Sequence, residues 1–474
     1  MFKIPSRFKQ FKIFSIRNLL SKLTNKQYLL INFLEAPLLA VILGYFTKYI
    51  SGTLDEPDKY LFSENENIPA YLFMCVIVAL FIGMTVSAEE IIRDRKILKR
   101  ESFLNLSWAS YLNSKIIILF ALAAVQALSF ILVGNLILGV KWMTSSYFII
   151  IFSTIAAANL IGLNISSALN SVVTIYITIP FILVPQLLFS GVIVSFNKLH
   201  KNFMSVEYVP VVGDLMISRW AYEALAVNQF KNNNFEKHFF DVEKEISHLS
   251  FQSMFRLPDL QSRVDKSMKD LKQNSLDEQF RGNLLLIKNE FKDLSLAVSG
   301  IQFQSIEQLE VEKFTLETGA LATTYLEQLT SHYRNKVYFA NTKKDEIYNR
   351  LIKELGSAEE VAKLKEDYYN KRLAESVLNK NEVKKIVETN HHTLFQVKDP
   401  IFKLPETNYG RAHFYAAEKI LFGKRIDTVW FNVVVIWLSI VLLYILLLFN
   451  GFKRFVDFLS GLSFIPKIDK KNKS

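Results

Sequence analysis

The sequence predicts an all-α membrane protein with six transmembrane helices and a helical soluble domain inserted between helices five and six. Two observations predict this class: 50% of the 474 residues are hydrophobic against 21% charged, and the apolar residues gather in long runs. A bilayer core of ~30 Å needs ~20 apolar residues as helix, because lipid offers no partner to an unpaired peptide group. The single cysteine, Cys75, excludes an intrachain disulfide.

Six apolar stretches reach the length that a transmembrane helix needs. They are 28–47, 68–88, 116–138, 146–168, 172–195 and 428–450. Within them, Glu35 is the only Asp, Glu, Lys or Arg. Buried helices of a large soluble protein usually keep a polar face and are shorter. The pattern therefore favours six membrane crossings.

Basic residues orient these spans. Residues 1–27 hold seven basic side chains and no acidic one, and further basic residues follow span two and fill the tail after span six. The loop after span one is acidic. The positive-inside rule then places both termini in the cytoplasm and residues 196–427 outside. For a bacterial protein this means a multi-pass inner-membrane protein with a periplasmic domain, and the charge distribution argues against a nucleic-acid partner.

The charge pattern and the spans divide the chain into segments. Residues 1–27 carry apolar side chains at helical spacing among the basic ones, which predicts an amphipathic helix at the membrane surface. Thr24 to Gln27 has capping-box spacing and would begin span one. The predicted segments are 1–27, the helices within 28–195 with a cytoplasmic segment at 88–115, the outer domain 196–427, the last helix 428–450 and the tail 451–474.

The outer domain holds 34 basic and 33 acidic residues, and its apolar residues follow a helical period. Capping boxes at Ser275–Glu278 and Ser357–Glu360 mark two helix starts. No β-hairpin is predicted. A helical bundle or coiled hairpin follows, whose apolar stripes either pack only against one another or also form a docking surface for a substrate, a partner or a second copy.

The sequence shows no catalytic site. It lacks the phosphate-binding G-x-x-x-x-G-K-[ST] motif, and His391 and His392 are adjacent rather than spaced as metal ligands on a helix. No metal or cofactor is therefore expected in this chain.

Polar residues inside two spans indicate a substrate pathway. Asn32 and Glu35 share one face of span one, where a carboxyl is costly unless it faces a wet cavity or a neighbouring helix. Span five combines polar side chains with two prolines, which free backbone carbonyls. Its candidate pathway residues are Thr174, Thr178, Pro180, Pro185 and Gln186. The alternative is that Glu35 is tied to a neighbouring helix and that span five is only kinked.

A dense cluster of acidic and basic residues follows span two. This segment is either a solvated loop or a short helix that docks on a cytoplasmic protein. Mixed signs suit specific pairing better than attraction to lipid. The candidate coupling residues are Glu89, Glu90, Arg93, Arg95, Lys96, Arg100 and Glu101.

Together these features resemble the membrane half of ATP-binding-cassette (ABC) exporters of the G subfamily, the white/brown-complex type, within the type-2 ABC permease superfamily. The resemblance covers residues 1–235 and about 410–460, and residues 412–432 look like those of large exporters from Bacteroidetes-like bacteria. The motifs that carry it are Ser87–Lys96 with Glu101, Ser110–Lys115, Leu187–Gly191, Ile217–Leu225 and Asn228–Phe230.

The resemblance implies a homodimer of permease halves driven by two cytoplasmic ATPase domains, which would bind ATP and Mg²⁺. The segment before span one would be the connecting helix, and 89–101 the coupling helix that receives the ATPase stroke. Spans two and five would line the cavity. Family members usually carry the ATPase on the same chain, so here a partner subunit or another part of a longer polypeptide would supply it. The alternative function is a membrane-anchored scaffold or sensor whose outer domain binds a partner.

Overall fold

The computed structural model describes residues 5–52, 56–101 and 106–461. These ranges are mostly helical, in agreement with the predicted class. The α-helices of the described ranges are α1 (Arg7–Thr24), α2 (Lys26–Thr47), α3 (Ile68–Ala88), α4 (Glu90–Glu101), α5 (Trp108–Leu138), α6 (Thr144–Ala168), α7 (Val172–Leu188), α8 (Val211–Asp214), α9 (Ile217–Lys231), α10 (Phe240–Phe251), α11 (Leu257–Lys272), α12 (Glu278–Ala297), α13 (Leu316–Leu355), α14 (Ala358–Tyr368), α15 (Lys371–Val377), α16 (Thr428–Leu448) and α17 (Gly451–Gly461).

Two short antiparallel hairpins correct the prediction that the outer domain has none. They pair β1 (Ile386–Glu388) with β2 (Leu394–Gln396), and β3 (Glu418–Leu421) with β4 (Lys424–Asp427). The second hairpin turns at Phe422 and Gly423, whose φ values of 49° and 77° both lie in the left-handed region that a two-residue hairpin turn requires. Strands of three or four residues are too short to show a clear alternation of polar and apolar residues.

Five helices are long and apolar enough to cross a membrane: α2, α3 with its continuation into α4, α5, α6 and α16. Each of these helices overlaps a predicted span, and the shorter apolar α7 overlaps the fifth. Helix α7 has only 17 residues, or ~25 Å at ~1.5 Å per residue. The prediction extended this span to residue 195, but the helix ends at Leu188 and the chain turns at Gly191, whose φ is 81°.

Helices α3 and α6 form the centre of the apolar bundle and pack closely through small residues. A Cβ on Gly83 would lie 2.5 Å from the Ala158 Cβ and 2.6 Å from the Ile155 carbonyl oxygen. The backbones thus approach as closely as they do in membrane proteins whose helices meet through small residues. Helices α5 and α16 border α6, and α2 lies against α5 and α3.

The outer region contains two apolar cores of its own, while other residues of this region, such as Val377 and Phe402, belong to the core of the bundle. Helices α11, α12 and the 40-residue α13 share one core, and the residues that the helical period predicted are buried there, including Leu260, Phe291 and Leu329. A smaller core joins Phe235 and Phe239 to the end of α13 and to α14. These segments are therefore helical, as their apolar period predicts.

Only one of the three predicted capping boxes caps its helix as expected. The Ser357 hydroxyl accepts a hydrogen bond from the Glu360 N–H at 3.2 Å and begins α14. At α2 the cap is Asn25 rather than Thr24, and at α12 it is Asp277 rather than Ser275. In both cases an Asn or Asp close by is at least as good a cap as the predicted hydroxyl residue.

Candidate coupling site on helix α4

Helix α4 is fixed to the end of α6 by reciprocal caps. The N–H groups of Ile91 and Ile92 both donate to the Ser166 hydroxyl oxygen at 3.1 Å, so a side chain of α6 satisfies two orphan donors at the start of α4. Arg95 of α4 in turn contacts the end of α6. Its guanidinium donates to the Leu169 carbonyl at 2.8 Å and to the Asn170 side-chain oxygen at 2.6 Å. The two helices therefore move as one unit.

The acidic face of α4 is turned inward, onto α1 and α5. The buried Glu90 carboxylate pairs with the Lys22 ammonium of α1 and, at 2.9 Å, with the Lys115 ammonium of α5. Lys115 also lies 2.9 Å from Asp94, one turn further along α4. We call Lys22, Glu90, Asp94 and Lys115 the inner charge network. Its two carboxylates and two ammonium groups balance, which offsets the desolvation cost of burying each charge.

Hydroxyl and amide groups complete the inner charge network. Tyr111 donates to Asp94 at 3.0 Å, Lys22 donates to the Tyr28 hydroxyl at 2.7 Å, and Lys115 donates to the Asn18 side-chain oxygen at 3.3 Å. These bonds join α1, the start of α2, α4 and α5 in one polar cluster. A displacement of α4 must therefore be transmitted to three other helices or break charged hydrogen bonds.

The opposite face of α4 is exposed and basic. Arg93, Lys96 and Arg100 are exposed, and their spacing of three and four residues places them on one side of the helix. Glu89, in the turn before α4, contacts Arg93 and accepts a hydrogen bond from Tyr176 of α7 at 2.7 Å. Glu101 ends the helix, and its side chain lies outside the described residues.

The mixed charge cluster predicted from the sequence thus separates into two faces. Glu90 and Arg95, both predicted as coupling residues, have internal partners and are not available to a partner protein. The sequence analysis missed Lys22, Asp94, Lys115 and Ser166 as members of this site. The four-residue spacing of Glu90 and Asp94 was a readable signal for one shared face, but only the tertiary packing shows which cations meet it.

The predicted pathway residues of α2 lie toward α5. Asn32 is buried, its side chain donates to the Tyr28 carbonyl at 2.7 Å, and Gln126 of α5 donates to its backbone carbonyl at 3.2 Å. Glu35, one turn away, is half-buried. Asn32 and Glu35 therefore form a polar strip on one face of α2.

The predicted pathway residues of α7 fall into two groups. Thr174 and Pro180 are exposed, and Thr178 and Pro185 are half-buried. Gln186 is buried, and both its side-chain and backbone oxygens accept hydrogen bonds from Ser218 of α9, at 3.0 and 2.6 Å. Helix α7 packs against α3 and α9, and α2 against α5 and α3, so the two predicted groups border α3 but have different second neighbours.

A second buried charge cluster lies where α9, β3 and α16 meet. The Glu223 carboxylate accepts hydrogen bonds from Lys419 and Asn432, both at 2.9 Å, and from the Tyr415 N–H at 3.1 Å. Arg219 lies 3.5 Å from the same carboxylate and stacks over the Trp220 ring at 3.8 Å. We call Arg219, Glu223, Lys419 and Asn432 the outer charge cluster.

Burial and charge compete in the outer charge cluster. Glu223 and Lys419 are both 0% exposed. Burial alone would raise the pKa of the Glu223 carboxyl, but the Arg219 and Lys419 cations hold that pKa below its ordinary value. Burial lowers the pKa of the Lys419 ammonium to about 8, although Glu223 acts in the opposite direction. The cluster therefore links β3, in the segment of the chain that leads to α16, to helix α9 through ionic interactions.

Comparison with protein families matches the part of the chain that holds the inner charge network, together with Arg219 and Glu223 of the outer charge cluster. Residues 9–230 match the ABC-2 type transporter family (ABC2_membrane), which covers α1 and continues almost to the end of α9. The match supports a type-2 ABC permease. It also supports a multi-pass membrane protein and a transporter component. A search of curated proteins found no match to this chain.

Proposed function

We propose that this chain is the membrane-spanning half of an ATP-driven exporter of the G-subfamily type that works as a homodimer by alternating access. An ATPase partner, or an ATPase domain elsewhere on a longer polypeptide, would supply the energy and bind ATP and Mg²⁺. The chain would lie in a bacterial inner membrane with both termini in the cytoplasm. The family match to residues 9–230 supports the permease assignment.

Helix α4 carries the proposal. It offers an outward basic face formed by Arg93, Lys96 and Arg100, while its inner face is fastened to α1, α5 and α6. A short helix with one free charged face and one immobilised face can receive a push from an acidic surface and pass it on as a rigid-body displacement. This arrangement suits a coupling helix better than a solvated loop, because a loop would absorb the displacement.

The exposed face of α7 supports the dimer. Thr174, Ile177, Phe181, Val184 and Leu188 follow each other at spacings of three and four residues and are exposed. Such a seam is typical of a helix that packs on a second helix. A second copy of the chain placed against α3 and α7 would cover it, and Thr174 and Thr178 would then face the space between the two copies.

Charge reversal on α4 tests the proposal. We expect Arg93→Glu with Lys96→Glu to abolish co-purification of the ATPase, or to reduce permease-dependent ATP hydrolysis in proteoliposomes by at least about tenfold, because like charges across an interface cost several kcal/mol. Both side chains are exposed, so the thermal midpoint of unfolding should not change. ATPase binding and turnover equal to those of the unchanged chain would contradict the proposal.

A matched control reverses two exposed lysines of α11, Lys269→Glu with Lys272→Glu. This double variant changes the net charge equally but lies in the outer region, and we expect normal coupling. If no ATPase co-purifies with the unchanged chain, that result would instead favour the alternative function, a membrane-anchored scaffold or sensor.

A further inference from the structure

A cavity of about 690 Å³ lies between the amphipathic helix α1 and the bundle helices α5, α6 and α16. Its volume falls in the range of about 300–1,000 Å³ that small-molecule sites occupy. It shares no lining residue with the inner charge network or with the predicted pathway residues. Since α5 and α16 are membrane-spanning helices, the natural occupant is a component of the membrane.

The lining of this cavity changes from polar to apolar along its length. The guanidinium-bearing Arg7 stands at the end formed by α1, next to Ser110 and to Asn113, whose side-chain oxygen accepts a hydrogen bond from Tyr444 at 2.8 Å. Further along, the lining is apolar and includes Ile117 and Val441. A ligand with a polar head and one apolar chain matches this order.

The length of the cavity matches one leaflet of a bilayer. Its lining on α5 runs from Ala109 to Phe120, which is ~17 Å of helix at ~1.5 Å per residue. Half of a ~30 Å bilayer core is ~15 Å. Phe120 and Trp437 lie at the far end of the lining, where their rings meet edge to face at 6.1 Å. An acyl chain would therefore reach the middle of the bilayer.

We propose that this cavity binds one acyl chain of an anionic phospholipid from the leaflet in which α1 lies, with the lipid phosphate on Arg7. Charge selects the headgroup, because residues 1–27 contain seven basic side chains and no acidic one. The bound lipid joins α1 to α5 and α16. Because α1 also supplies Lys22 to Glu90, the lipid stabilises the position of the inner charge network.

Native mass spectrometry of the detergent-purified chain tests this site, with titrated palmitoyl-oleoyl phosphatidylglycerol and phosphatidylcholine as probes. We expect the unchanged chain to retain phosphatidylglycerol in preference to phosphatidylcholine. Arg7→Gln should lower phosphatidylglycerol occupancy about fivefold, the effect of one basic side chain near an anionic lipid. Ala109→Phe places a ring in the cavity and should remove the retained adduct.

Matched variants separate the cavity from general effects. Lys12→Gln removes the same charge from an exposed position of α1 that does not line the cavity, and Leu136→Phe adds a ring at the opposite end of α5. Both should retain the lipid as the unchanged chain does. Equal retention of the two lipids by the unchanged chain would overturn the headgroup assignment. Adducts that persist in a folded Ala109→Phe variant, or a loss equally large in Lys12→Gln, would overturn the site.

Discussion

The inner charge network and the outer charge cluster bury carboxylates in different ways. In the inner network, Glu90 meets two lysines from other helices, and the side chains of Lys22 and Asp94 keep 11% and 24% exposure. In the outer cluster, Glu223, Arg219 and Lys419 are at most 1% exposed, and Asn432 completes the contacts. The inner network keeps access to water, and the outer cluster does not.

This difference indicates how firmly each cluster holds its helices. The inner network keeps some contact with water, so the loss of one partner should cost less there than in the outer cluster. Removing one partner from an ion pair that is sealed from water strongly destabilises the fold. The outer cluster is therefore suited to a contact that does not change. Lys419 is 196 residues from Glu223 in the chain, and their contact is one of several that hold the outer region to the bundle.

Removing Glu223 should produce the largest effect. We expect Glu223→Gln to lower the free energy of unfolding by about 3–5 kcal/mol, because Arg219 and Lys419 lose their shared buried carboxylate. Thermal unfolding of the detergent-purified chain measures the loss. Glu418→Gln is the matched control: it is the neighbour of Lys419, has a 24% exposed side chain and pairs with Lys244 at 3.2 Å. Equal midpoints for the two variants would contradict a sealed joint.

Removing Glu90 should have a smaller effect on folding. Glu90→Gln leaves Lys115 paired with Asp94 and Lys22 bonded to Tyr28, so we expect a loss of about 1–3 kcal/mol. Permease-dependent ATP hydrolysis should fall as well, which a purely structural residue would not cause in the folded fraction. Glu245→Gln, whose half-exposed carboxylate pairs with the exposed Lys343, serves as the control. A loss in Glu90→Gln as large as in Glu223→Gln would remove the distinction between the two clusters.

Glu236 offers a third comparison, a buried carboxyl without close cationic partners. It is 1% exposed, and its Oε1 accepts no hydrogen bond from the described residues. Burial, with the nearby Glu243 carboxylate, raises the pKa of Glu236 and opens a pH window above its ordinary value of 4.5, while Lys344 and Lys365 act in the opposite direction. The folded chain therefore binds a proton that the unfolded chain releases, and stability should fall as pH rises through this window.

We expect this pH effect to be the smallest of the three, about 1–2 kcal/mol across the window, because raising the pH ionises one carboxyl and removes no ion pair. Glu236→Gln should flatten the dependence of the unfolding midpoint on pH, since glutamine resembles the protonated acid. Glu245→Gln, at a half-exposed position, should leave the slope unchanged. A slope that persists in Glu236→Gln would contradict the assignment to this carboxyl.

Local patterns in the sequence predicted the elements that depend only on near neighbours. The helical periods of α11 to α13 and the cap at Ser357 are set by residues a few positions apart, and both are confirmed. The hairpin of β3 and β4 could not be predicted in this way. Its strands are short, and Lys419 of β3 pairs with Glu223, which lies 196 residues away in the chain.

Helix α4 lies where the sequence analysis allowed either a short helix or a solvated loop, but the orientation of its charges was not predicted. The charge run after span two indicated a helix for contact with a partner, yet the sequence alone could not assign Arg95 to the end of α6 or Glu90 to Lys115. Gln186 illustrates the same limit. A polar residue in an apolar span suggests a substrate pathway, and only the structure shows that Ser218 donates a hydrogen bond to the Gln186 side chain. A side chain's partner depends on which distant segment packs beside it.

The sequence by itself determined the apolar helices, their membrane length and the basic ends that flank them, because hydrocarbon length and helical period are properties of contiguous residues. Tertiary structure alone decided which charges are buried together, where α7 ends, and which face of α4 remains exposed. These outcomes depend on desolvation and on partners far away in the chain, such as Lys419 for Glu223, and no local pattern encodes them.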